Sequence, residues 1–308
     1  MKIHYSLDNF DARSPVVTIG TFDGLHRGHQ VILDRLKELA AKINGESVVF
    51  TFNPHPRVIT SPNKSSLRLL TTTEEKTELF RKYGIDHLII YPFDENFSAL
   101  SYTDFVKTIL VEKINTKYLV VGYDHKFGKN REGGFEYLKQ CADKYNFRIE
   151  KMDAFTTEGD NISSTKIRVA LQSGDIKKAN HYFGHEFSLH GTVVEGKQLG
   201  RKMGFPTANI EASDKHKIIP GYGVYAVKVE IDKKTYKGML NIGTRPTFSK
   251  NADNRSIEVN IFNFSESIYG KTLTLYFIDK IRDEKKFTGI ESLVEQLIKD
   301  KKTALKIL

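Results

Sequence analysis

The chain has one cysteine, Cys141, in 308 residues. A single thiol excludes a disulfide framework within the monomer, argues against a cysteine-based zinc site, and makes a reducing compartment the expected setting. No apolar run approaches the ~20 residues that a membrane-spanning helix needs. The opening MKIHYSLDNF has no apolar core of the kind a signal peptide carries. A cytoplasmic location is the expectation. There is also no internal repeat and no low-complexity stretch.

What is present is an ordinary globular composition, 39% hydrophobic and 28% charged. The length exceeds what one core usually supports, so two domains are expected. The formal charge of +9 points to anionic partners. Nucleic acid, anionic lipid and phosphorylated small molecules all satisfy that charge. The basic residues are spread along the chain, however, which makes nucleic acid the weaker expectation. Nothing in the sequence selects an oligomeric state.

The first ~185 residues alternate strand-like and helix-like segments, the pattern of a parallel sheet with crossover helices. PVVTIG (15–20), SVVFTF (47–52), HLIIYPF (87–93) and YLVVGYD (118–124) read as strands. Between them, residues 28–43 keep Ile32, Leu36, Leu39 and Ile43 on one helical face. TEEKTELFRKYG (73–84) predicts a helix ending on Gly84, and SYTDFVKTILVEKI (101–114) another. Two helices, SSTKIRVALQSG and DIKKANHYFG, close this half, with Gly174 suited to a C-cap and Asp175 to an N-cap.

After His185 the rhythm changes. GVYAVKVEID (223–232) alternates, with Tyr225, Val227, Val229 and Ile231 on one face, and KTYKGMLNIG, RSIEVNIFNF and KTLTLYFIDKI are further short strands. They predict a small antiparallel sandwich or barrel, closed by a helix over 290–308. The expected domains are 1–185 and 186–308.

Two stretches carry chemistry. TIGTFDGLHRGHQ (18–30) places His26 and His29 three residues apart after a glycine-punctuated turn. It has neither the G-x-G-x-x-G of a dinucleotide fold nor the H-E-x-x-H of a zinc protease. A helix N-terminus after a buried strand does favour phosphate, through free N–H groups and a partial positive charge. Gly20 and Gly24 let the backbone approach a bulky anion. A solvated helix start is the plainer alternative for two such histidines.

These residues resemble the H-x-G-H signature of the nucleotidyltransferases, and specifically the FMN adenylyltransferase half of bacterial bifunctional riboflavin kinase/FAD synthetases. TFNPHP (51–56) and NISSTKIR (161–168) stand where that family has its later motifs. The resemblance implies a Rossmann-like domain in which the FMN phosphate attacks the α-phosphorus of ATP and pyrophosphate leaves. It assigns His26 and His29 to the ATP phosphates, and Ser164, Thr165 and Arg168 to the leaving β- and γ-phosphates. In GYDHKFG (122–128), His125 stands where many relatives have phenylalanine after the aspartate. Asp124 and His125 are expected near the flavin.

In the second half, GTVVEGKQ (191–198) is one residue short of a P-loop, because Gln198 replaces the hydroxyl and no helix follows. The longer GTVVEGKQLGRKMGFPTANI (191–210) resembles the flavokinase domain, supported by NIGTRPTF and IRDEKKF. Gly191, Gly196, Gly200 and Gly204 make a backbone-rich segment suited to phosphates, with Lys197 as charge partner. Thr207 and Asn209 offer the hard oxygens that Mg²⁺ prefers. Glu258 points away from the apolar face formed by Ile257, Val259 and Ile261. Taken alone it reads as a solvent-facing strand residue. In the family the matching glutamate takes the proton from the ribityl hydroxyl, and Arg282 is a weaker flavin contact.

The resulting expectation is a bifunctional enzyme using ATP, Mg²⁺ and flavin substrates. Two rivals are a fold relative acting on another phosphorylated acceptor, and a non-catalytic flavin- or nucleic-acid-binding protein retaining the fold.

Overall fold

The computed structural model describes residues 1–308 except 61–66, 124–125, 129–131, 158–159, 197–199, 201–202 and 245–254. Two compact units divide between Ser163 and Ser164.

The first unit holds a six-stranded parallel sheet. Its strands are β1 (Lys2–His4), β2 (Val16–Ile19), β3 (Ser47–Asn53), β4 (His87–Pro92), β5 (Tyr118–Val121) and β6 (Arg148–Lys151), in the spatial order β1-β4-β3-β2-β5-β6. From β2 the chain steps outward through β3 to β4, then returns to the other side of β2 for β5 and β6. The strand order therefore reverses at β2, and in open α/β sheets ligands bind beyond the carboxyl end of such a reversal.

Both faces of the sheet are covered, which is why its four central strands read as continuous apolar runs. Val17, Val48 and Phe50 join one core cluster with Phe105, Val106, Ile109 and Leu138. Val16, Val49 and Val120 join the other with Leu33, Leu36, Leu39 and Phe80. Helix α1 (Arg27–Lys42) buries those three leucines, each contributing roughly 1.5–3 kcal/mol of transfer free energy.

After the short α2 (Pro56–Thr60), α3 (Thr73–Tyr83) begins on a capping box between Thr72 and Glu75 and ends on left-handed Gly84. The helix expected over 101–114 is resolved differently. One short turn, Tyr102–Asp104, passes into a wider π-helical coil over Phe105–Lys113. The wider winding directs Phe105, Val106, Ile109 and Leu110 into the core.

The second unit begins with two helices, Ser164–Ser173 and Ile176–Phe183. Asp175 caps the latter by accepting from the Lys178 N–H at 3.1 Å. The second of these helices packs on barrel strands, which is why contacts group the pair with this unit and not with the residues before them. The division thus lies 22 residues before the 185/186 boundary read from the change in strand rhythm.

Six antiparallel strands close the barrel: Phe187–Val194, Ala208–Ala212, Gly223–Ile231, Lys234–Thr244, Arg255–Ile261 and Thr272–Arg282. The C-terminal helix, Ile290–Ile307, lays Leu297, Ala304 and Ile307 on Ala226, Met239 and Phe262. The expected α/β domain followed by a small antiparallel barrel with a closing helix is the architecture found.

Candidate active sites

The histidine pair lies at the point of strand reversal. Residues 20–26 carry the chain from the end of β2 to α1, with His26 as N-cap. Phe22, Gly24 and Leu25 all take left-handed backbone, at φ +46°, +88° and +39°. For the two non-glycine residues that conformation costs about 1–2 kcal/mol each and persists only if neighbours over-determine it.

Residues 70–76 supply that restraint. Asp23 Oδ1 accepts the N–H groups of Leu70 and Thr71 at 2.9 and 3.0 Å. The Gly24 N–H donates to Thr71 Oγ1 at 3.0 Å. Lys76 Nζ donates to the Thr21 carbonyl at 3.1 Å and to Thr51 Oγ1 at 3.2 Å.

On this turn the His26 and His29 rings stack at 3.7 Å between centroids, with planes 16° apart. Phe22 meets His29 edge-on at 5.2 Å. Gly28, between the histidines, leaves room for the stacked pair: a Cβ there would lie 3.3 Å from the His26 ring, which would have to give by a few tenths of an ångström. Gly20 is restricted in the same way by the Phe22 ring, 3.1 Å from its added Cβ.

Burial, then the adjacent His26 and Lys76, hold the pKa of His29 well below the ordinary histidine value. Its Nδ1 is buried without a hydrogen-bond partner among the described residues. Two rings and a helix N-terminus thus converge near one buried cation, Lys76, in an arrangement suited to an anion.

Ser164, Thr165 and Arg168 lie in the first two turns of the helix that opens the second unit. Asp124 and His125 lie outside the described residues, as does Lys197.

In the barrel, pairing brings Glu258 opposite Asn209 on one side and Asn241 on the other. Thr207 Oγ1 stands 3.5 Å from Glu258 Oε2, at the outer limit of a hydrogen bond. Asn260 is buried and donates from Nδ2 to the Pro206 carbonyl at 2.7 Å, fixing the turn before Thr207.

The glycines separate by role. Gly196 leaves room for the Asn209 amide, which would lie 1.9 Å from a Cβ there. Gly204 takes φ +76° in open space. Gly191 belongs to strand packing: it pairs with Ala212, and a Cβ would lie 2.4 Å from Ile210 Cγ2. It sits three residues along the strand pair from Asn209, about 10 Å from the Glu258 cluster.

Arg282 is engaged by Asp300 of the C-terminal helix. Its Nε lies 3.0 Å from both carboxylate oxygens and its Nη2 lies 2.8 Å from Oδ2. Gln296 completes the arrangement from the same helix at 2.9 Å.

Nothing in the sequence marks Asp23, Thr71 and Lys76, which hold the histidine turn, or Asn241, which pairs with Glu258; the strand alternation does place Asn260 on the same face as Glu258. The threonine–glutamate spacing of 72–75 was a legible helix start. Its attachment to a turn some 50 residues earlier left no local signal.

Comparison with known proteins adds the following. The FAD synthetase model matches residues 9–166 and the riboflavin kinase model residues 183–308. A Listeria monocytogenes bifunctional riboflavin kinase/FMN adenylyltransferase is 38% identical over 95% of this chain and 92% of its own. The Bacillus subtilis protein described by the same words is 35% identical over 98% and 95%. A Streptococcus pneumoniae crystal structure, described as a macrolide-efflux protein, superposes with a TM-score of 0.88 at 30% identity over 98% of each chain.

Proposed function

We infer the division of labour from a plain premise: the chain belongs to the bifunctional riboflavin kinase/FMN adenylyltransferase family. It phosphorylates riboflavin to FMN with ATP in its C-terminal part, and adenylylates FMN to FAD with release of pyrophosphate in its N-terminal part. The finer assignments below are our reading of the two sites.

The observation that carries the first site is the stacked His26–His29 pair at the N-terminus of α1, where the strand order reverses. In this reading an FMN phosphate oxygen forms a bond to the α-phosphorus of ATP, and the bond to the pyrophosphate oxygen breaks. His26 and His29 lie against the phosphates and stabilise the charge that develops on the bridging oxygen. Gly20 and Gly24 let the backbone approach. The assignment of Ser164, Thr165 and Arg168 to the β- and γ-phosphates rests on the NISSTKIR motif, which begins within the FAD synthetase match.

At the second site Glu258 accepts the proton of the ribityl hydroxyl as that oxygen attacks the γ-phosphorus. Gly204 and Lys197 are assigned to the ATP phosphates. Gly191, the other glycine so assigned from sequence, is explained without a phosphate by its packing against Ile210. Thr207 and Asn209 suit Mg²⁺: both offer neutral oxygens beside one carboxylate, leaving other positions for phosphate oxygens. The ion supplies charge neutralisation on the transferred phosphoryl group when bound. Asp124 and His125 are assigned to the flavin. Arg282 contributes to flavin binding through the 283–289 loop it anchors beside Asp300.

The functional domains in this reading are 1–185 and 186–308, small-molecule enzymes both. No helix among the described residues is long and apolar enough to cross a membrane. A cytoplasmic location is proposed from the chemistry, which draws on ATP and free flavins. The deciding experiment incubates riboflavin, ATP and Mg²⁺ with the wild type, His29→Ala and Glu258→Gln, and separates flavins over time. The wild type gives FMN and then FAD. His29→Ala accumulates FMN. Glu258→Gln makes none, yet converts supplied FMN to FAD. Equal loss of both activities in either variant defeats the two-site assignment.

A further inference from the structure

Lys76 is a buried cation in the first turn of α3, 7% exposed. A lysine is electrostatically misplaced there, because the positive end of the helix dipole repels it. Nor does α3 need it to start, since Thr72 and Glu75 already satisfy the end of the helix. Burial drives its pKa down to about 8, with Asp23 opposing that change. What Lys76 does make is a pair of contacts away from its own helix, to Thr21 and Thr51.

Thr51 Oγ1 donates to the same Thr21 carbonyl at 3.3 Å. That carbonyl directly precedes left-handed Phe22 and the run of backbone that ends on His26. Two donors from two different elements, α3 and β3, thus fix the last point before the strained turn. The groups facing His29 are His26 on its own helix start, Phe22 of the turn, and Lys76 across from it. Asp23 is the carboxylate facing Lys76.

We propose that Lys76 is a positioning residue for adenylyl transfer, holding through Thr21 the turn on which His26 and His29 are mounted. Lys76 touches no reacting atom in this account. It fixes the angle at which the two rings meet the ATP phosphates, and its charge adds to the burial and the His26 ring that already disfavour protonation of His29. The proposal rests on the assignment of His26 and His29 to ATP.

The test uses the full chain with Lys76→Met, Lys76→Arg and Thr51→Val. It reads kcat and KM for FAD formation from supplied FMN, FMN formation as an internal control, and the titration of His29 by NMR of ¹³C-labelled histidine. In Lys76→Met, kcat for FAD is expected to fall roughly 10–100-fold, the scale of a small misplacement of reacting groups, with KM for ATP changing less. FMN formation stays at wild type. The His29 titration moves to higher pH, because a neighbouring cation has gone, and Lys76→Arg returns it toward wild type. Thr51→Val lowers kcat for FAD in the same direction but leaves the His29 titration in place, which keeps the test decisive if Lys76→Met folds poorly.

Wild-type kcat in both Lys76→Met and Thr51→Val overturns the proposal. So does a loss of kcat in Lys76→Met with the His29 titration unmoved, the signature of a merely structural lysine. Absence of FAD from the wild type overturns the underlying assignment instead, a result distinct from either.

Discussion

His29 resists protonation because it is buried beside His26 and Lys76. In the unfolded chain it titrates near 6.5, whereas in the folded protein it does so well below that. Between those two values the unfolded state binds more protons, so stability falls as pH falls through that window. The thermal midpoint of the first unit should therefore drop between pH 7 and pH 5, and His29→Gln should flatten that drop in a calorimetric series. Lys76 works at the other end. Its pKa of about 8, against 10.5 unfolded, means its buried charge opposes folding at pH 7 by about 3 kcal/mol. That penalty shrinks as pH rises toward 10.5. Lys76→Met is accordingly expected to raise the urea midpoint of the first unit at pH 7, with the gain fading above pH 10. A midpoint lowered at pH 7 would mean that the Thr21 and Thr51 contacts outweigh the cost of burying the charge.

Among the secondary-structure elements, α3 depends on its capping box and the C-terminal helix on its ion pair. Thr72→Ala removes one half of the box and should cost about 1 kcal/mol, read from denaturant unfolding. Asp300→Ala strands the Arg282 guanidinium that it engages; because Arg282 is 20% exposed, the cost should fall below the roughly 3–5 kcal/mol of a fully buried pair broken from one side. The barrel's unfolding transition is the measurement. These elements differ in how plainly the sequence announced them. The long amphipathic run of α1 and the alternation of 223–231 were legible because each has one buried face and a clear period. Lys2–His4 and Arg148–Lys151 were not, being three and four residues long with polar compositions, KIH and RIEK. Ala208–Ala212 hid within a motif read for its chemistry. The apolar periodicity of 101–114 predicted a helix, but nothing local distinguishes a π-wound coil from an α-helix when tertiary packing selects the winding. The roles proposed for His26, His29, Thr207, Asn209 and Glu258 were readable from motifs, whereas the placement of Lys76 and Asn241 was not, because it arises from pairing across distant strands and turns.

For the whole molecule, two reactions assigned to different sites make a prediction that neither site makes alone. A mixture of His29→Ala and Glu258→Gln should convert riboflavin to FAD, since FMN released by one protein feeds the other. The rate should respond to dilution, because the intermediate crosses solution. Chromatography of the mixture over time is the check, and failure to make FAD would show that FMN must stay with the chain that produced it.

The closed barrel has one more consequence. A ring of six staves has no first and no last: the strand Phe187–Val194 is bonded both to Ala208–Ala212 and to Thr272–Arg282. Each of the six is bonded to a neighbour on both sides, so none can peel away without breaking two seams at once. The parallel sheet is an open strip with two rims, guarded by the brevity and the charges of the strands that form them, KIH and RIEK. Association by backbone pairing, if it occurs, is favoured at a rim of the strip over the hoop.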